Sequence, residues 1–113
     1  QAKLAMERME REIRLIRSQA DIATWTSTNV QYTDINGAGA GFNWANPTLN
    51  RWNGAGNDVL ATGITAFTLS YFQQDGSTPA TAASNIWFVD ITMTSQQGSE
   101  SLVMHSRVYP RNF

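Results

Sequence analysis

Ile64-Thr65-Ala66-Phe67-Thr68-Leu69-Ser70-Tyr71-Phe72 is the stretch on which the fold class turns. Phe67, Leu69 and Tyr71 fall on one face, Thr68 and Ser70 on the other. A period of two belongs to a half-buried β-strand. Asp75-Gly76 follows as a turn signal. Downstream, Asn85–Thr94 places Trp87, Val89, Ile91 and Met93 on one face, and Ser101–Tyr109 does the same with Leu102, Met104 and Val108. The short loop Ser95–Glu100 makes these two strands a hairpin. Pro79 and Ala80–Ser84 read as loop. Upstream, Thr28–Ile35 is rich in β-branched and aromatic residues and runs into Asn36-Gly37, a strong hairpin turn. Weaker strand pieces lie at Phe42–Trp44, Leu49–Trp52 and Asp58–Ala61. Asn36-Gly37-Ala38-Gly39 recurs as Asn53-Gly54-Ala55-Gly56, and both copies read as turns rather than as a repeat architecture.

The first 21 residues are different. They hold 9 of the charged residues, while the other 92 positions hold 8, and they contain no Gly or Pro. At about 100° per residue, Ala2, Ala5, Met6, Met9, Ile13, Ile16 and Ala20 line one helical face, broad enough to sit on a sheet. Glu7, Glu10, Arg14 and Arg17 line a second. Glu7–Arg11 and Glu10–Arg14 are expected as i,i+4 pairs. A third strip, Leu4, Arg8, Arg11 and Leu15, lies almost opposite the core face. It reads either as a solvated face or as a contact strip for a second helix. No capping residue precedes Lys3, so we expect a helix over 1–21 that continues a longer one upstream. The whole is an α+β chain, one helix on an antiparallel meander of strands spanning 22–113, in a single domain.

Composition narrows the function. A net charge of −1 gives no basic field for nucleic acid. The absence of cysteine excludes disulfides, thiol nucleophiles and thiolate metal sites. No window reaches 18 consecutive apolar residues, so none of these residues forms a transmembrane helix. His105 is the only histidine, and in the expected hairpin it shares a face with Arg107 and Tyr109, opposite Phe88 and Asp90. A cross-strand pair of Asp90 with His105 or Arg107 explains this face better than a catalytic dyad. Asp34, Asp58 and Asp75 sit beside Asn or Gly, where turn formation accounts for them. Gly37–Gly41 lacks the helix that a phosphate loop needs, and reads as a loop or hairpin end. Asp34, Asn36, Asn57 and Asp58 offer two or three oxygens, short of the six to eight that calcium takes. No residue set calls for a cofactor, a metal or an enzymatic reaction. Trp44 and Trp52 flank Asn-rich turns; if exposed, they would suit stacking on a sugar, which keeps a carbohydrate-binding module as the alternative. Trp87, which alternates with Val89 and Ile91, is expected to be core.

Several segments together resemble minor type IV pilins and type II secretion pseudopilins. Tyr32-Thr33-Asp34-Ile35-Asn36-Gly37 is similar to a strand and turn of that family, and Leu49-Asn50-Arg51-Trp52 to the strand after it. Val59 to Phe72, ending on Asp75-Gly76, resembles their long strand, and Arg107-Val108-Tyr109-Pro110-Arg111-Asn112 their C-terminal segment. Met6–Ile13 fits the soluble half of their first helix. The resemblance implies a structural subunit of a type IV pilus or secretion pseudopilus. It implies a leader and about 20 apolar residues upstream, an inner-membrane anchor, and a soluble domain in the periplasm or in a surface filament. The implied partners are other pilin-like subunits, met through the strip Leu4, Arg8, Arg11 and Leu15. Ala5, Met9, Ile13 and Ile16 are expected to pack on the domain's own sheet.

Overall fold

Ala2, Ala5, Met6, Met9 and Ile13 recur at the three-and-four spacing of one helical face, and all five are buried along α1 (Ala2–Ile13). The computed structural model describes all residues, Gln1–Phe113. At 1.5 Å per residue α1 is about 18 Å long. It ends eight residues before the expected boundary at Asp21. No Gly or Pro stops it. Leu15 and Ile16 tighten onto the carbonyls of Glu12 and Ile13, three residues back. The backbone then changes partners: Ile35 N–H donates to Leu15 O and Arg17 N–H to Thr33 O, each at 3.0 Å. These bonds form an isolated bridge between Ile16 and Asp34. Ile16 is fully buried as expected, but from this extended segment, and Ala20 is exposed on a short 3₁₀ turn, Gln19–Asp21.

Eight strands follow: β1 (Ile22–Trp25), β2 (Asn29–Thr33), β3 (Gly39–Ala45), β4 (Thr48–Trp52), β5 (Asn57–Ala61), β6 (Ile64–Phe72), β7 (Phe88–Gln97) and β8 (Glu100–Val108). They form two antiparallel sheets, β1-β2-β3-β4-β5 and β6-β7-β8, each a meander, where one was expected. The break falls at Thr62-Gly63. Gly63, at φ +69°, turns the chain out of the first sheet instead of back along it. The sheets are tied through β6. Ile64 N–H donates to Pro47 O at 2.9 Å and Leu69 N–H to Ser27 O at 2.7 Å. Trp44 Nε1 donates to Ile64 O at 2.9 Å and the Tyr71 hydroxyl to Thr26 O at 2.8 Å.

The β6 boundaries and faces are as read: Phe67, Leu69 and Tyr71 are buried and Thr68 is exposed. Val89, Ile91, Met93 and Val108 are fully buried, but Leu102 is exposed near the hairpin tip and Trp87 is half-buried just ahead of β7. The β7–β8 loop is Gly98-Ser99 alone, because pairing continues to Gln97–Glu100. Gly39–Gly41 form strand rather than loop, and Asp58 lies in β5 opposite Arg51 rather than in a turn. The two echoed turns are spatial neighbours. A Cβ on Gly39 would sit 3.1 Å from Gly54 Cα, so their small size lets two backbones touch.

α1 lies across both sheets, touching β5 of one and β8 of the other. Together they enclose one core of 22 buried apolar residues, with Phe42, Leu49, Ile86, Ile91 and Met93 at full burial. Two carboxylates steady the helix from opposite sides. Glu12 Oε1 accepts from Arg51 Nε on β4 at 2.8 Å, and Glu10 Oε2 accepts from the Ser106 hydroxyl on β8. Neither Glu7–Arg11 nor Glu10–Arg14 forms; within α1 the pair is Arg8–Glu12 at 2.6 Å. Glu10 and Glu12 have tertiary partners, which outweigh the few tenths of a kcal/mol of an exposed helical pair. The C-terminal segment covers the helix exit: Arg111 N–H donates to Arg14 O at 3.0 Å and Asn112 Nδ2 to Ile16 O at 3.3 Å.

Just beyond, Arg17 and the Ser18 hydroxyl hold the Asp21 carboxyl down to about 2, from an ordinary 3.8. A depressed carboxylate stabilises the fold above its ordinary range and loses that contribution as pH falls through about 2. Arg17→Ala is expected to bring the Asp21 midpoint back toward 3.8 in an NMR carboxyl titration. An unmoved midpoint would assign the effect to Ser18 instead.

Candidate interaction surface

The strip opposite the buried face of α1 faces outward. Leu4 is 69% exposed, the largest exposure of any big apolar side chain in the molecule. Arg11 is exposed, and Arg8 and Leu15 are half-buried. Two hollows lie along the strip. The first, about 360 Å³, is lined by Leu4, Ala5, Arg8, Arg11 and Leu60 among others. Leu60 comes from β5, so this hollow lies where the helix meets the edge of the larger sheet. The second, about 220 Å³, lies beside Leu15, between the end of α1 and strands β2 to β4. The lining of the first hollow is mixed, with Leu4, Ala5 and Leu60 among Gln1, Glu7, Arg8 and Arg11. Arg8 is committed to Glu12, whereas Arg11 has no ion pair.

Trp44 and Trp52 are half-buried, not exposed. Trp44 packs on the core, lies 6.2 Å from the Phe67 ring and spends its indole N–H on Ile64 O. The Trp52 ring lies within reach of Gly39, where an added Cβ would be 3.5 Å away. Trp25 meets Tyr71 edge-on at 5.7 Å and packs, partly buried, against the core.

Asp90 is paired across the strands. Arg107 stands directly opposite it and clasps both carboxylate oxygens, Nε to Oδ1 at 2.7 Å and Nη2 to Oδ2 at 3.1 Å. His105 stands opposite Thr92, with Nε2 3.7 Å from Asp90 Oδ2. Asp34 Oδ1 accepts the N–H groups of Asn36 and Ala38, and Asp75 Oδ1 those of Ser77 and Thr78; both are turn-forming bonds. Asn57 Oδ1 accepts from Asn43 Nδ2 at 2.9 Å. The oxygens weighed for calcium thus lie in separate turns and ladders, and no group of three or more acidic or histidine side chains converges.

One surface was not foreseen. On the outer face of the smaller sheet, Arg107 lies over the rings of Phe72 at 5.2 Å and Phe88 at 4.9 Å. Tyr109 continues the stack, 5.5 Å from Phe88 and 6.3 Å from Trp87. The period-two reading had put Phe88, Arg107 and Tyr109 on one face. The contribution of Phe72 and of Trp87, from outside β7, depends on the β6–β7 crossing and had no local signal. The cation is already paired and stacked here, so the cluster reads as a staple of the sheet. Compared with known proteins, the chain matches no family model and no curated sequence.

Proposed function

We propose that this chain is the soluble domain of a structural subunit, a minor type IV pilin or type II secretion pseudopilin, that joins or initiates a filament. The observation that carries the reading is the division of labour on α1. One face is sealed into the domain's own core, while Leu4 on the outward strip stays 69% exposed above a hollow. The segments quoted above, which resemble that family along most of the chain, add to it. In this reading neighbouring subunits cover Leu4, Arg8, Arg11 and Leu15, and an upstream apolar helix anchors the subunit in the inner membrane, with the domain in the periplasm or in a surface filament.

The coding sequence directly upstream of Gln1 tests this. A short basic leader followed by about 20 apolar residues in phase with α1 is expected. A start codon or a plain signal peptide at the boundary would overturn the reading. Arg11→Glu tests the strip itself. Because Arg11 is exposed and without an ion pair, the variant should melt within about 0.5 kcal/mol of the parent, yet assemble poorly in cells. Filaments at parental abundance would remove the strip from the interface.

A further inference from the structure

Asn-Gly occurs twice in the chain, at Asn36-Gly37 and at Asn53-Gly54, each time opening the same stretch Asn-Gly-Ala-Gly. Asparagine is chemically labile. The backbone nitrogen of the next residue can attack the side-chain carbonyl carbon and close a succinimide ring, and a glycine there has no Cβ to hinder the approach. Local sequence and water access treat the two sites alike, since Asn36, Gly37, Asn53 and Gly54 are all exposed. The folded backbone separates them.

At the first site the attacking nitrogen is occupied. Gly37 N–H donates to Asp34 O at 2.9 Å, closing the turn between β2 and β3. That bond must break before the nitrogen can lose its proton. The Asn36 side chain makes no hydrogen bond, and only its backbone N–H is engaged, by Asp34 Oδ1. At the second site the arrangement is reversed. Gly54 N–H has no partner in the chain. Asn53 Oδ1 accepts from Ala55 N–H at 3.0 Å and from Gly56 N–H at 2.9 Å. Attack on Cγ turns this oxygen into an oxyanion. Two backbone donors already aimed at it stabilise the charge as it develops and need no rearrangement. They also hold the side-chain carbonyl toward the chain that follows it, which restricts the reacting groups to a few arrangements.

We infer that Asn53 is a site of intramolecular succinimide formation and deamidation, and that the fold protects Asn36. Gly54 N gives up its proton and bonds to Asn53 Cγ. The bond from Cγ to the side-chain nitrogen breaks, and that nitrogen takes up a proton and leaves as ammonia. One water then opens the ring at either carbonyl, which leaves aspartate or isoaspartate at position 53. No oxidant, cofactor or second protein enters the balance. Each event adds one negative charge to a chain whose net charge is −1. Isoaspartate also inserts a methylene into the backbone of the turn between β4 and β5, where Gly54 lies against Gly39. The inference rests on the two turns and is independent of the assembly reading.

The test is ageing of the folded 113-residue chain in mildly alkaline buffer. Ion exchange counts the acidic forms, and peptide mapping by mass spectrometry reads the amide-to-acid change at each asparagine. Conversion at Asn53 is expected to run about ten-fold or more faster than at Asn36. In denaturing urea the turns are lost, and the two rates should approach parity. Asn53→Asp keeps an acceptor oxygen for Ala55 and Gly56 and should abolish most of the acidic forms that appear on ageing. Asn36→Asp should leave their rate of appearance unchanged. Equal rates in the folded chain, faster loss at Asn36, or an Asn53 that stays intact when folded but converts in urea would each overturn the assignment. A preference for Asn53 that persists undiminished in urea would also overturn it, because the fold would then not be its cause.

Discussion

Ile13→Asp is expected to unfold the domain or bring it to the edge of unfolding. Ile13 is fully buried on the core face of α1, the face laid across both sheets. An aspartate there loses the apolar packing and puts a carboxylate where there is no water. It must bury its charge or take up a proton, and either is costly. The loss should be about 4 kcal/mol or more, out of the roughly 5–15 kcal/mol of a typical domain. In a circular-dichroism melt this corresponds to a fall of about 15 °C or to no transition at all. Ile13→Val is the control, at roughly 1 kcal/mol. A melting temperature unchanged in Ile13→Asp would show that this face of α1 is not in the core.

The second large effect comes from a glycine with no unusual dihedral angle. A Cβ on Gly41 would lie 2.2 Å from Val30 O, 3.0 Å from Gln31 Cα and 3.1 Å from Val30 C. All three are backbone atoms of the neighbouring strand, so no side chain can swing aside, and β2 and β3 must part. Gly41→Ala should cost about 3 kcal/mol, the upper end of overpacking. The same change at Gly56 meets nothing within 4 Å and needs no positive φ. Gly56→Ala should be neutral or stabilise by about 0.5 kcal/mol through the unfolded chain. Urea unfolding of the two variants compares one methyl group in two settings. Equal midpoints would contradict the close approach of β2 and β3.

Gly41 also shows why part of the fold was hidden in the sequence. Gly37-Ala38-Gly39-Ala40-Gly41 has the composition of a loop, and only its first residues form one. Gly39 and Gly41 are strand positions whose small size serves close backbone contacts with residues distant in sequence. The end of α1 was hidden for a related reason. The apolar spacing continues through Ile16 without a breaker, and pairing with the Thr33–Ile35 segment stops the helix. The split into two sheets turns on Gly63 and on which strand β6 prefers, neither of which is local. Where the information was local, it sufficed. The period of two placed β6 from Ile64 to Phe72, and the three-and-four spacing named the buried face of α1.

The candidate surface divides the same way. Leu4, Arg8 and Arg11 were legible as a strip because helical geometry alone puts them together; Leu15, expected to continue it, lies instead in the turn beyond the end of α1. The second hollow was not. It depends on Glu12 meeting Arg51, 39 residues away, and on Tyr32 and Asp34 from another hairpin. The expected exposure of Trp44 and Trp52 was not met because side-chain burial is a tertiary property: Asn-rich neighbours suggested exposure, and the β6 carbonyl took the Trp44 indole.

The most direct measurement is photo-crosslinking in intact cells, with a benzophenone amino acid at Leu4 of the full-length product and, as control, at Ala20, which is exposed off the helix. Covalent adducts to another filament subunit are expected from position 4, absent from position 20, and lost when Arg11→Glu is added. A Leu4 probe that forms no adduct in cells with assembled filaments, or one no different from Ala20, would contradict the account.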